Sequence, residues 1–256
     1  MKGFTVFITK ELRELVRTKR LLILLIVFTV FGIMNPAMAL LTPKFIEMEA
    51  DTFKAMGMDV GEITVTALDA WTQFVKNIPM ALIVFLLMMS GIYLTEYTKG
   101  TLIPLLTKGL SRSAVVLSKW TVMLLTWSAG CWLIFGITYF YSDYYWDNSA
   151  VSNLMFSGFG WWLFGVLLMS CIVFFSSFAG STAQVILSTG AVYFIMMLLG
   201  MVRKLQEYLP TRLCSSASLY SGELEPSDFT KAAVITATAS AVLVLAALPL
   251  TKKRQL

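Results

Sequence analysis

Apolar residues run along this chain in long blocks, and the polar residues gather between them. No Asp, Glu, Lys or Arg occurs in Leu21–Pro43, Asn77–Thr95, Trp120–Ser142, Asn148–Val202 or Ala232–Thr251. About 20 apolar residues, at 1.5 Å rise each, cross a hydrocarbon core of about 30 Å. Four of the blocks have the length of one span. The fourth block, 55 residues long, carries a breaker cluster, Ser176-Ser177-Phe178-Ala179-Gly180-Ser181-Thr182, and divides into two spans. The pattern predicts an all-α membrane protein with six transmembrane helices, at about 21–41, 76–95, 118–141, 157–177, 183–202 and 232–250. It leaves no room for a soluble domain: 1–20 is a helix of another kind and 21–256 is the transmembrane domain.

The first 20 residues follow a stripe instead of a block. Phe4, Phe7, Ile8, Leu12, Leu15 and Val16 recur at helical spacing, with Lys10, Arg13, Glu14, Arg17 and Arg20 between them. Such a basic amphipathic helix lies in the interfacial plane, with its aromatics in the acyl boundary and its cations at lipid phosphates. A topogenic start with no mechanical role fits the same pattern. A cleaved signal peptide, suggested by Ala37-Met38-Ala39, does not suit so long a patterned basic helix.

Charge then sets the orientation. With six spans, both termini and the loops after spans two and four share one side. That side holds 13 of the 20 Lys and Arg and three acids, a balance of +10 against −5 on the other. Both termini are therefore expected in the cytoplasm. The basic pI follows from topology and lipid contact rather than nucleic-acid binding. The outer loop at 44–74 is acidic (Glu47, Glu49, Asp51, Asp59, Glu62, Asp69) and reads as a solvated face. Tyr139 to Trp146, with Trp161 and Trp162, reads as an outer aromatic belt. The last outer loop, Arg203–Lys231, is amphipathic and broken by Pro210 and Pro226, which suits short helices folded back on the protein.

Absences narrow the function. The chain has no histidine and no Asp, Glu, Lys or Arg near the middle of a span, so a proton relay or an intramembrane hydrolase is not expected. No catalytic residue and no metal site is expected. Cys131, Cys171 and Cys214 lack metal or redox spacing. There is no G-x-x-x-x-G-K-[ST] loop, so ATP would have to be used by another polypeptide.

The segment Glu96–Lys119 could receive that energy. Gly100 stops span two, and Thr101 is expected to N-cap a helix over about 102–108, with Pro104 in its first turn, Lys108 at its C-terminus and Gly109 as the C′ residue. Ser111 caps the next helix, which continues through Lys119. Leu102, Ile103, Leu105 and Leu106 need a cover, which lipid or a protein groove would supply equally well. The order Glu96, Gly100-Thr101-Leu102, Leu105-Leu106-Thr107, Leu110-Ser111-Arg112, Ser118-Lys119 resembles the cytoplasmic loop of ABC transporter permeases of the type-2 exporter class. Lys10-Glu11-Leu12 and Arg17-Thr18-Lys19-Arg20 are similar to that family's connecting (elbow) helix, and the six-span layout matches too. One departure is Gly109, where the family often carries Pro.

The resemblance implies a permease subunit of the bacterial cytoplasmic membrane that works by alternating access. It implies two copies of a separate ATP-binding cassette subunit, which bind ATP and Mg, and a second permease subunit in a homodimer or related heterodimer. The coupling-helix contact with the ATPase would be made by Glu96, Lys99, Thr101, Leu102, Leu105, Leu106, Lys108 and Arg112. The connecting helix would present Phe4, Phe7, Lys10, Glu11, Arg13 and Arg17. Spans two and five would line the path through Met80, Val84, Leu87, Met88, Leu187 and Phe194, an uncharged wall suited to peptide toxins, antimicrobial peptides or hydrophobic drugs. The alternatives are a secondary or passive transporter, or an immunity or accessory protein that binds a peptide without moving it.

Overall fold

The computed structural model describes residues 2–48, 64–98, 100–107 and 109–253. Every regular element among them is helical: α1 (Lys2–Arg17), α2 (Arg20–Met48), α3 (Ala67–Ser90), α4 (Leu94–Thr98), α5 (Ile103–Thr107), α6 (Arg112–Trp146), α7 (Leu154–Ser176), α8 (Thr182–Leu199), α9 (Arg203–Gln206), α10 (Ala217–Tyr220) and α11 (Thr230–Lys253), with three short 3-10 segments. Six helical stretches are long and apolar enough to cross a membrane. They begin with α2, α3, α6, α7 and α8, and the sixth runs Pro226–Lys252.

The helices overrun the apolar blocks. Span two begins nine residues before the predicted 76, at Ala67, because Thr66 and Asp69 close a capping box there: the Thr66 N–H donates to Asp69 Oδ2 at 2.8 Å. Asp69 is thus a cap within a helix rather than part of an acidic loop. Glu47 belongs to the last turn of α2, while Glu49, Asp51, Asp59 and Glu62 lie outside the described residues. The breaker cluster does end α7 at Ser176, and Ser181 N-caps α8 by accepting from the Gln184 N–H.

α7 is the central post, buried over most of its length, while α8 and α11 are largely exposed on their outer faces. Its glycines admit neighbours: the Trp127 ring lies against Gly165, where a Cβ would come within 2.2 Å of the indole nitrogen. The same Trp127 packs with Phe28 and Phe85, joining spans one, two and three. A polar ladder ties those spans again, with Asn77 donating to Asn35 and Asn35 to Thr138, both at 2.9 Å.

The two ends of the bundle differ. At one, the short helices after α8 fold back on α7: the Leu213 carbonyl sits over Gly160, and Ser157 bonds Ser216 and Tyr220. Burial pushes the Tyr220 phenol up, against the opposing pull of its hydrogen bonding with Ser157 and Ser216. Phe140, Tyr141, Tyr144 and Tyr145 are exposed around that end of α6. At the other end lie α1, the loop carrying α4 and α5, and the C-terminal end of α11. Tyr93 reaches Thr251 at 3.3 Å and Arg112 donates to the Thr251 and Lys252 carbonyls, each at 3.2 Å.

Candidate functional site

The loop end is built from four changes of direction. α3 stops at Ser90, a turn over Gly91–Tyr93 frees the Ile92 carbonyl, and α4 adds one further turn of helix. Gly100 then takes φ +65°, a conformation that costs glycine nothing. The Thr101 N–H bonds the Glu96 carbonyl at 3.1 Å and the Gly100 N–H bonds that of Tyr97 at 3.1 Å, which is a Schellman closure of α4. The Thr101 hydroxyl also turns back to the Glu96 carbonyl. Thr101 therefore caps the end of α4 rather than the start of α5, because Gly100 reverses the chain between them. Beyond α5, Gly109 stands at φ +92°, and Ser111 N-caps α6 by accepting from the Ala114 N–H at 3.1 Å. Proline cannot take that φ, so glycine opens an exit from α5 that proline would close.

Under this loop sits a cluster of buried charge. Lys119, 1% exposed in the first turns of α6, donates to Glu11 Oε2 at 2.9 Å and to the Ile92 carbonyl at 2.9 Å. Its ammonium lies 2.7 Å from Glu96 Oε2, off the hydrogen-bond directions, so that contact is an ion pair without an aligned bond. Lys10 pairs with Glu96, with Glu11 at 3.0 Å and with Glu14 at 2.9 Å. Burial alone would lower Lys10, but hydrogen bonds from Glu96 and Glu14 and the field of Glu11 outweigh it and hold the ammonium well above its ordinary value. Glu14 is held down in turn: partial burial opposes its ionisation, and the Lys10 bond overcomes that. Phe7 packs beside both ammonium groups, 5.1 Å from Lys10 and 5.6 Å from Lys119. The carboxylates of Glu11, Glu14 and Glu96 converge closely enough to hold a cation, and the Lys10 ammonium bonds all three.

The residues singled out from the sequence divide sharply. Glu96, Lys10, Glu11 and Phe7 meet in the cluster. Leu102 is buried and Leu106 half-buried against the core, so the side of α5 left open is Ile103, Pro104 and Thr107. Arg112 is engaged with the end of α11. Phe4 is half-buried and Arg13 and Arg17 are exposed along α1. Lys99, Lys108 and the side chain of Leu105 lie outside the described residues. Lys119 and Glu14 were not among the candidates, although Lys119 stood in the motif that carried the resemblance.

Of the six expected path residues, one lines the apolar cleft between spans. A cleft of about 130 Å³ opens between spans two, four and five, and Leu87 lines it with Pro79, Leu86, Phe164, Ile186 and Tyr193. Trp161 Nε1 and Thr189 Oγ1, on residues of its wall, are buried without a hydrogen-bond partner among the described residues. Met80, Leu187 and Phe194 are exposed and do not line this cleft, while Val84 and Met88 are half-buried beside it in sequence.

Six helical stretches of spanning length among the described residues mark a multi-pass membrane protein. The chain belongs to the ABC-2 transporter family: the family model "ABC-2 family transporter protein" matches residues 6–208. It is accordingly a membrane permease of ABC-transporter type, a transport subunit of a family that generally works with an ATP-binding subunit. No curated protein and no solved structure matches the chain.

Proposed function

We propose that this permease is the membrane half of an ATP-driven exporter of amphipathic or hydrophobic cargo, with both termini and the 94–111 loop in the cytoplasm. The observation that carries the reading is α5, a short helix anchored by buried Leu102, with Ile103 45% exposed beside Pro104 and Thr107. Five residues do not hold a helix in water. A helix fixed on one face and bare on the other suits the groove of a soluble partner. That partner would be a nucleotide-binding subunit, present in two copies with ATP and Mg, acting on a permease dimer. Closure of the two ATP-binding subunits would push on α5 and α1 and swing the spans from an inward to an outward opening. The basic loop end favours the cytoplasmic side. An apolar cleft with almost no polar lining favours hydrophobic or amphipathic cargo.

The test is association of the ATP-binding subunit with the permease in lipid nanodiscs. Ile103→Asp should weaken it by at least tenfold, the order expected from placing a carboxylate in an apolar contact. Unchanged association would put that face in lipid. Uphill transport by the permease alone would establish a secondary transporter instead.

A further inference from the structure

We propose that Lys119 is the positioning residue of a joint that makes α1, the break in span two and the start of span three move as one body. The proposal deepens the coupling role proposed above and rests on it. Three elements converge on one ammonium group: α1 through Glu11, the turn after α3 through the Ile92 carbonyl, and α4 through Glu96. The side chains are 1% (Lys119), 2% (Glu11) and 8% (Glu96) exposed, so neither salt nor water substitutes readily for a lost partner. If any one element moves alone, a buried charge loses one of its partners, and breaking a buried pair is more costly than replacing the whole pair with apolar groups. The exposed pair at the opposite end, Lys231 with Glu207, carries no such constraint.

The joint also gives α5 a route to span three besides the short chain connection from Thr107 to Arg112. The Schellman closure fastens α5 to the Glu96 backbone, the Glu96 carboxylate meets Lys119, and Lys119 stands on span three. Glu11 brings α1 to the same point, and Lys10 closes the ring by bonding both carboxylates. Ile92 needs this donor for its own reasons: its carbonyl falls in a helix break, where no intrahelical N–H is available. A displacement of α1 therefore reaches span three through the aligned Glu11–Lys119 hydrogen bond, and one of α5 through the buried Glu96–Lys119 ion pair, as well as through apolar contact.

Two variants test it by hydrogen exchange. Lys119→Met leaves the buried carboxylates of Glu11 and Glu96 to share the single, half-exposed Lys10 ammonium. In the permease by itself, residues 2–17 and 91–98 should lose protection together, by about a hundredfold, as expected when a buried charge loses its partner. The short helices around Ser157 and Tyr220 should keep theirs. Loss confined to one of the two segments overturns the joint. The double variant Glu11→Gln with Lys119→Met preserves the cluster's net charge and should recover most of the lost protection. In the complex with the ATP-binding subunit, a non-hydrolysable ATP analogue should change exchange in both 103–107 and 112–122 of the natural chain. In the double variant the change should stop at 103–107. A change that still reaches 112–122 undiminished overturns the proposal even though the variant folds. A natural complex silent at 103–107 overturns the transmission role by way of the coupling reading, and Ile103→Asp tests that reading separately.

Discussion

Gly109→Ala isolates the exit of α5 from every other contribution. Gly109 stands at φ +92°, and a Cβ built on it meets nothing within 4 Å. No contact is gained or lost in the substitution, so its whole effect is the backbone cost of a left-handed conformation, about 1–2 kcal/mol for a residue with a side chain. The chain can bear that strain, or it can relax to negative φ and break the Gly109 N–H bond to the Leu106 carbonyl, now 3.0 Å. Either outcome lowers the population of the present α5 pose. If that pose docks the ATP-binding subunit, affinity should fall by roughly fivefold to thirtyfold, the same energy expressed in binding. Binding to nanodisc-embedded permease measures this, and the thermal midpoint of the bundle should stay put because no core contact changes. Asn, which tolerates positive φ, should lose less. Pro should lose more, since it can neither take this φ nor donate to Leu106. Natural affinity in the Ala variant would refute the reasoning by showing that the exit of α5 does not set the docking pose.

At Gly165, Ala would bring a methyl to 2.2 Å from the Trp127 indole nitrogen, which donates to the Trp162 carbonyl at 3.0 Å. The strain should destabilise the bundle by about 1–3 kcal/mol in denaturant titration of the detergent-solubilised protein. Gly136→Ala, with open space at its Cβ, should instead be neutral or stabilise by up to about 1 kcal/mol. An equal response of the two glycines would mean that the Trp127 ring has slack. Docking of α1 should be insensitive to pH across the neutral range. Lys10 is raised above 10.5, so its contribution is present below that value and is lost only as pH rises past its higher folded value. Glu14 is lowered from 4.5, so its contribution is present above 4.5 and is lost as pH falls through its lower folded value. Exchange of residues 2–17 corrected for intrinsic rate should be flat between those limits, and a step near pH 7 would contradict the assignment.

The spans were legible because each is a block of apolar residues, and the break between α7 and α8 because Ser176, Ser177, Gly180, Ser181 and Thr182 cluster there, with Ser181 placed to cap α8. Their ends were less legible. A charge-free block marks the part that lipid must accept, whereas the helix continues until a cap or a turn stops it. α2 runs through Pro36 and Pro43 to Met48, and span two reaches back past Lys76 to the Thr66 capping box. Those extensions project beyond the apolar core, where charge costs little and only hydrogen bonding decides. Thr101 was misread for a related reason. The pattern Gly-Thr-Leu-Ile-Pro fits an N-cap before α5, and it fits a Schellman closure after α4 equally well. Which use prevails depends on the sign of φ at Gly100, and composition does not encode that.

The charge cluster was half legible, and the missing half explains what the sequence could not supply. Glu96, Lys10 and Glu11 attract attention because each stands near an apolar segment. Lys119 does not, because one lysine at the boundary of a span is also what the positive-inside tendency would place there, and that reading needs no partner. The two roles separate only by burial. A topogenic lysine extends its ammonium to water along an apolar stem, whereas Lys119 is 1% exposed and turns inward to two glutamates 108 and 23 positions away in the chain. Pairings at such separations cannot be found from spacing within one helix. They follow from the packing of α1 across α6, which the stripe of Phe7, Leu15 and Glu11 on one face of α1 permits but does not single out. Charge that seems merely to orient the protein in its membrane thus also fixes the geometry of the loop end.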